Sequence, residues 1–261
     1  NFRKNQCRFY LMKVAVITGS SKGIGSSIAK DLNKKKIKVI LIARSKKLLK
    51  RVQQNLPYPK LSHIISKDLR SLSACNFVGK KVKKINYLIN VAGATKGGHF
   101  LKLDDKIWND GFDLKFKSAL RLSKIFWPKL KKNRGKIINI GGGAGSWEKP
   151  SRTFMIGGAV NTALNHFTKT LSLQGKLDKV SVSIINPGMT LTGRLEKLLE
   201  ADSKIFKKSV KQLLKERTKL AKIKRPTKPE EVAKLTLKLI KDKKSNGKVL
   251  SIDGGKIKDI S

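Results

Sequence analysis

Short, wholly apolar runs alternate with helical patterns along nearly the whole sequence, and this alternation limits the fold more than any other feature. Val14-Ala15-Val16-Ile17 reads as a buried strand, followed by a helix from about Gly23 to Asn33. Val39-Ile40-Leu41-Ile42 predicts a second strand, with a helix from about Lys46. Leu61 to Ser66 and Ile85 to Ile89 predict the third and fourth, and a long helical pattern covers Asp104 to Lys132. Gly135 to Ile140 reads as the fifth strand, before a helix from about Gly157 to Leu173. Val180 to Ile185 and Val249 to Ile252 complete the set. Strands apolar on both faces and separated by helices belong to a parallel sheet covered on both sides. The expectation is an α/β, doubly wound, three-layer fold with a seven-stranded parallel sheet. It forms one domain over 12–261, because no Pro/Ser-rich linker or repeat divides the chain. The basic, helical stretch 192–224 breaks the rhythm and is read as an insertion on the substrate side.

Composition removes several function classes. The 261 residues carry 60 Lys and Arg against 17 Asp and Glu, a net charge of +43. A nucleic-acid binder is one way to read that charge. The distribution argues otherwise. Lysines outnumber arginines 49 to 11, sit at polar positions along the whole chain, and have no interleaved aromatic pattern. Forked recognition of phosphates and bases favours Arg. Specific nucleic-acid binding is not expected, although salt-sensitive attraction to polyanions follows from the charge. No apolar run is long enough to predict a membrane-spanning helix. Two cysteines, Cys7 and Cys75, make no disulfide framework and point to a reducing compartment, most simply the cytoplasm. Residues 1–11 lack the apolar core of a secretory signal. They are read as a disordered arm or upstream read-through, with Met12 a candidate start.

The first strand runs into Thr18-Gly19-Ser20-Ser21-Lys22-Gly23-Ile24-Gly25. Glycines at a strand-to-helix turn let the backbone approach a diphosphate, and the helix N-terminus behind them offers N–H groups and positive potential. The context, after a strand and opening a helix, is what such a motif needs. Here the chain resembles the short-chain dehydrogenase/reductase family over about residues 12–255. TGSSKGIG is similar to its TGxxxGxG, and Asn90-Val91-Ala92-Gly93 to its NNAG, with Val for the second Asn. Asp68-Leu69 resembles the pair that holds the adenine. Pro187-Gly188 followed by Thr192 resembles the PGxxxT segment that meets the nicotinamide, and Gly247 with Asp253-Gly254-Gly255 the usual final strand. The resemblance implies a Rossmann-like fold, a nicotinamide dinucleotide, a small-molecule substrate and a homodimer or homotetramer. Cofactor-binding positions implied are Gly19, Ser21, Lys22, Gly23, Ile24, Gly25, Asp68, Leu69, Asn90, Ala92, Gly93, Pro187, Gly188 and Thr192. The second strand ends in Ala43-Arg44-Ser45, with no acid to bond a ribose 2′-hydroxyl. Arg44, Ser45 and Lys22 suit a 2′-phosphate instead, so the cofactor expected is NADP(H).

The catalytic positions depart from the pattern. Local alignment puts the family's Ser at Gly142, its Tyr at Gly157, its Lys at Asn161 and its Asn at Lys115. The tyrosines are Tyr10, Tyr58 and Tyr87, none in the Gly157 helix. Ser146 and Ser151 are candidates to replace the serine. Lys115 is the candidate proton donor or oxyanion partner, Asn161 a partner for the nicotinamide ribose, and Gly141-Gly142-Gly143 a source of backbone N–H groups. His166 reads as structural, and His63 and His99 lack partners at metal-ligand spacing, so no metal is expected. Two functions are carried forward. One is an NADP(H)-dependent oxidoreductase acting on a carbonyl or conjugated alkene, with an anionic substrate favoured by the basic insertion. The other is an NADP(H)-binding protein without turnover, a sensor or assembly subunit.

Overall fold

The computed structural model describes residues 12–143 and 150–261. The arm at 1–11 and Ser146 lie outside the described residues. The strands are β1 (Val14–Thr18), β2 (Lys38–Ala43), β3 (Ser62–Ser66), β4 (Tyr87–Asn90), β5 (Lys136–Ile140), β6 (Ser181–Pro187), β7 (Val249–Asp253) and β8 (Lys256–Asp259). They form one sheet in the order β3-β2-β1-β4-β5-β6-β7-β8. The first seven are parallel, as expected, in a doubly wound Rossmann-like sheet. The eighth was not expected: it pairs antiparallel with β7. All four of its residues are exposed, so it carries no apolar run to betray it.

Alternation along each strand divides the core into two layers. Ala15, Ile17, Val39 and Leu41 face one side, where they pack with Ile28 and Leu32 of α1 (Gly23–Lys34) and with Val232 and Leu239 of α9 (Pro229–Lys241). Val14, Val16, Ile40 and Ile42 face the other. There they meet Val78 of α3 (Leu72–Lys81) and Leu122 and Phe126 of α5 (Ser118–Lys132). α2 (Lys46–Gln54) links β2 to β3, and α6 (Met155–Asp178) links β5 to β6. α3 had no counterpart in the sequence reading. Stretch 192–224 folds as α7 (Gly193–Phe206) and α8 (Val210–Leu220).

Strand order reverses between β1 and β4, which are neighbours although β2 and β3 intervene in sequence. In an open parallel sheet a ligand binds in the crevice at the C-terminal ends of such a pair. The helical stretch before β5 also departs from expectation. α4 (Asp105–Phe112) passes into a π-helical turn, Asp113–Lys117, before α5 begins. A π turn adds a residue to the helical register and is frequent at functional sites. Lys115 sits in its middle.

Candidate active site

At the end of β1 the chain turns sharply. Gly19 and Gly23 have φ of +63° and +56°, a region that glycine enters without strain. A Cβ on Gly19 would lie 2.9 Å from the backbone of Ala92, and one on Gly25 would run into the carbonyl group of Gly19. The turn is therefore packed on glycine backbone. Lys22 caps α1 without a side-chain hydrogen bond, and the first turn of α1 holds no acid. Its leading N–H groups have no side-chain cap, which suits an anionic ligand. The hydroxyl of Thr18 accepts from the N–H groups of Val91 and Ala92, both at 3.0 Å. That ties the glycine turn to the segment after β4.

The other positions read from sequence gather along the same edge. Ala92 and Gly93 follow β4, Pro187 and Gly188 close β6, and Thr192 caps α7 with its methyl 3.1 Å from a Cβ placed on Gly23. Ser21, Ile24 and Gly25 open α1 or the turn before it. Asp68 and Leu69 follow β3, with Leu69 buried. Arg70 grips the Asp68 carboxylate at 2.7 and 3.0 Å, and this holds the Asp68 pKa below the usual carboxylate range. Arg44 stands 4.0 Å from Asp68 with 62% of its side chain exposed. Ser45 is already engaged: its hydroxyl caps α2 by accepting from Leu48 N–H at 3.3 Å.

A row of buried amides underlies the site. Asn90 donates to Asn139 at 2.9 Å, and Asn139 donates to Thr168 of α6 at 2.9 Å. Asn186 donates from its side-chain amide to Asn165 Oδ1 of α6 at 2.7 Å and accepts from Asn165 Nδ2 at 3.4 Å. These bonds fix α6 against the strand ends and so place Asn161. Sequence reasoning passed over Asn139 and Asn186, although an Asn inside an apolar strand is a visible signal. Asn161 is 2% exposed, and its Oδ1 has no hydrogen-bond partner. A buried acceptor left open carries a penalty of about 1–3 kcal/mol, and a ligand hydroxyl would relieve it. A Cβ on Gly142 would lie 2.7 Å from the Asn161 amide nitrogen. Gly142 thus makes room for the Asn161 amide.

Three points refine, correct or add to the sequence reading. The long helix expected at Asp104–Lys132 runs unbroken from Asp105 to Lys132, but its turn at Asp113–Lys117 is π-helical, a register that leaves no mark in hydropathy. The glycine run does not present a free row of N–H groups: Gly141 donates to Ile185 O at 2.8 Å and Gly142 to Asn186 Oδ1 at 3.1 Å. The space opened at Gly157 is also filled. The Phe154 ring occupies the position a Cβ of residue 157 would take. A Gly157→Tyr substitution should therefore lower Tm rather than restore a tyrosine, with an overpacking cost of about 1–3 kcal/mol. Adding Phe154→Ala should recover part of that loss, as differential scanning calorimetry would show.

Lys115 runs along Gly93, its Cδ 2.9 Å from a Cβ placed there, and donates to Gly141 O at 2.8 Å. The residue is half-buried, with its ammonium held against the Gly141 carbonyl. Desolvation, helped by repulsion from Arg194, lowers its pKa from 10.5 to about 7. That value suits a proton donor at neutral pH. Asp113 in the same turn pairs with Lys117 at 3.0 Å instead. Arg194, in the first turn of α7, donates to Gly93 O at 3.1 Å and to Thr95 Oγ1 at 3.0 Å. Sequence reasoning missed it, one arginine in a basic stretch. Ser151 lines a cavity of about 280 Å³ with Arg152, Thr153 and residues of α7 and α8, rather than the row at the strand ends. Among the described residues, no group of His, Cys, Asp or Glu is arranged to hold a metal, and no helix is long and apolar enough to cross a membrane.

Comparison with known proteins agrees with this arrangement. The pattern of the family described as short chain dehydrogenase matches residues 13–203. The uncharacterized oxidoreductase YvrD of Bacillus subtilis is 30% identical over 95% of this chain and 97% of its own. The 3-oxoacyl-[acyl-carrier-protein] reductase FabG of Buchnera aphidicola is 29% identical over 93% of this chain and 96% of its own. Among solved structures, L-sorbose reductase from Gluconobacter frateurii, complexed with NADPH and L-sorbose, superposes with a TM-score of 0.84 at 27% identity. That match covers 94% of this chain and 96% of the other. On its fold, its glycine turn and these matches together, the chain belongs to the short-chain dehydrogenase family.

Proposed function

We propose that this protein is an NADP(H)-dependent oxidoreductase that reduces a carbonyl or conjugated alkene, with Lys115 as its proton donor. The observation that carries the reading is the Lys115 side chain at the C-terminal edge of the sheet, its stem along Gly93 after β4 and its ammonium bonded to Gly141 after β5, two strands from the glycine turn. When bound, the reduced nicotinamide supplies the hydride and is left oxidised. The chain's own residues do the rest. Gly19, Ser21, Gly23, Ile24 and Gly25 cradle the diphosphate at the open end of α1. Asp68 and Leu69 take the adenine, and Asn90, Ala92, Gly93, Pro187, Gly188 and Thr192 line the nicotinamide side. Asn161 offers its open Oδ1 to a ribose hydroxyl. As charge builds on the substrate oxygen, the Lys115 ammonium stabilises it, then gives it one proton and regains one from solvent. Such an acid typically contributes ~10²–10⁴-fold. The neighbouring structures crystallised with NADPH support the choice of coenzyme, as does the acid-free end of β2. Cytoplasmic placement and a homodimer or homotetramer belong to the same reading. The two cysteines support the first, and exposed Leu173 and Leu177 on α6 support the second.

The test begins with NADPH binding by calorimetry. Wild-type protein should bind NADPH at least tenfold more tightly than NADH. Arg44→Ala should erase most of that preference, since a hydrogen bond to a charged group contributes about 1.5–3 kcal/mol. NADPH oxidation should then be followed against a panel of carbonyl and enoyl substrates. Tight NADPH binding with no turnover on any of them would favour the cofactor-binding sensor or assembly subunit, for which Gly142, Gly157 and Asn161 at the usual catalytic positions already speak.

A further inference from the structure

Partly buried arginines in this protein have carboxylate partners, with one exception at the site. Arg70 pairs with Asp68 and Asp110, Arg121 approaches Asp113, and Arg217 pairs with Asp202. Arg194 has only neutral partners: the carbonyls of Gly93 and Thr95, the Thr95 hydroxyl, and the Phe154 ring 5.9 Å from its guanidinium carbon. Lys115, whose stem also runs along Gly93, has only the Gly141 carbonyl among the described residues. Among the described residues no carboxylate forms an ion pair with either cation. Solvated cations need no partner in a chain this basic. Two desolvated cations that repel each other do, because a buried charge is tolerated chiefly when paired. The counter-charge is therefore expected to arrive with a ligand. A guanidinium has five N–H donors, and the Nε–H of Arg194 has no partner among the described residues, so capacity remains for an incoming oxyanion.

Resting on the reductase reading above, we propose that Arg194 is the specificity-determining residue of this site and binds the substrate's own carboxylate or phosphate. The substrate class is then an anionic carbonyl compound whose anion lies within a few bonds of the reacting carbon, since Arg194 and Lys115 flank the same glycine. Arg194 holds the anion and Lys115 faces the carbonyl oxygen. A neutral ketone would leave the guanidinium desolvated and unpaired, and is rejected on that ground. The shared chemistry, an oxyanion on a guanidinium, has a second possible source in the coenzyme's phosphates.

Oxalate is the probe, because it is small, dianionic and unreactive toward NADPH; neutral oxamide is its control. Both are titrated calorimetrically into wild-type, Arg194→Met and Arg194→Lys proteins, with and without saturating NADPH, after Tm has shown each variant to be folded. Oxalate is expected to bind wild-type protein at least tenfold more tightly than Arg194→Met, with Arg194→Lys between them. Oxamide should bind all three equally weakly, and NADPH affinity should stay within twofold. No oxalate binding to wild-type protein, or equal binding to wild type and Arg194→Met, overturns the proposal. So does a tenfold loss of NADPH affinity in Arg194→Met with oxalate binding unchanged, which would assign Arg194 to the coenzyme. Oxalate binding that depends on Arg194, in a protein that fails to bind NADPH, supports the anion site while refuting the reductase reading.

Discussion

Replacing Lys115 by Met is expected to make the protein more stable and to remove its activity. The sign of the stability change follows from the lowered pKa. Unfolded, Lys115 holds its proton up to about pH 10.5; folded, it releases it at about 7. Below about 7 both states are protonated, and the folded state bears the full cost of an enclosed charge. Between about 7 and 10.5 only the unfolded state is protonated, so the cost fades as pH rises. Its upper limit is roughly 5 kcal/mol. Leaving the Gly141 carbonyl unmatched takes back about 1–3 kcal/mol. Lys115→Met should therefore gain about 2 kcal/mol at pH 6, a Tm rise of several degrees, and lose about 1–3 kcal/mol near pH 10.5, where only the lost bond to Gly141 remains. Over the same substitution, kcat for reduction should fall ~10²–10⁴-fold while NADPH affinity changes little. The wild-type rate should decline as pH rises past the Lys115 pKa, which the negative charge of bound coenzyme moves upward from about 7. A destabilised, less active Lys115→Met protein with an unchanged pH profile would show Lys115 to be structural.

Gly25→Val should have the largest effect on coenzyme binding. Its new side chain would run into the Gly19 carbonyl group and come within 3.0 Å of Ser20 Cα, both backbone, so the turn itself must move. Overpacking of this kind costs about 1–3 kcal/mol in stability. Displacing the first N–H groups of α1 from the diphosphate costs more. An NADPH Kd raised at least 100-fold is the expected result in calorimetry, with circular dichroism still showing a folded protein. Retention of tight NADPH binding would place the coenzyme elsewhere and sink the reading of the glycine turn.

Features written in contiguous residues were legible before the structure. Each apolar run became a strand, because a strand buried on both faces has to be apolar throughout. The glycine turn was legible because a bend this tightly packed on backbone excludes side chains at Gly19 and Gly25. β8 was not legible, as an edge strand held by backbone bonds to β7 needs no apolar signature. The π turn was also invisible, since it changes hydrogen-bond register without changing composition. Lys115 was identified from the family pattern, but its contact with Gly141 and its lowered pKa depend on that turn and on packing. Arg194 was illegible for a different reason. Among so many cations, what sets it apart is partial burial without an acidic neighbour among the described residues, and that is a property of three-dimensional surroundings alone.

Phe154 has an implication for how such a protein changes over generations. Its ring stands where a Cβ of residue 157 would be, so a larger residue at 157 alone has to displace it. Shrinking the ring alone opens a void. The two positions are therefore coupled, and descendants of this chain are expected to change residues 154 and 157 together rather than singly.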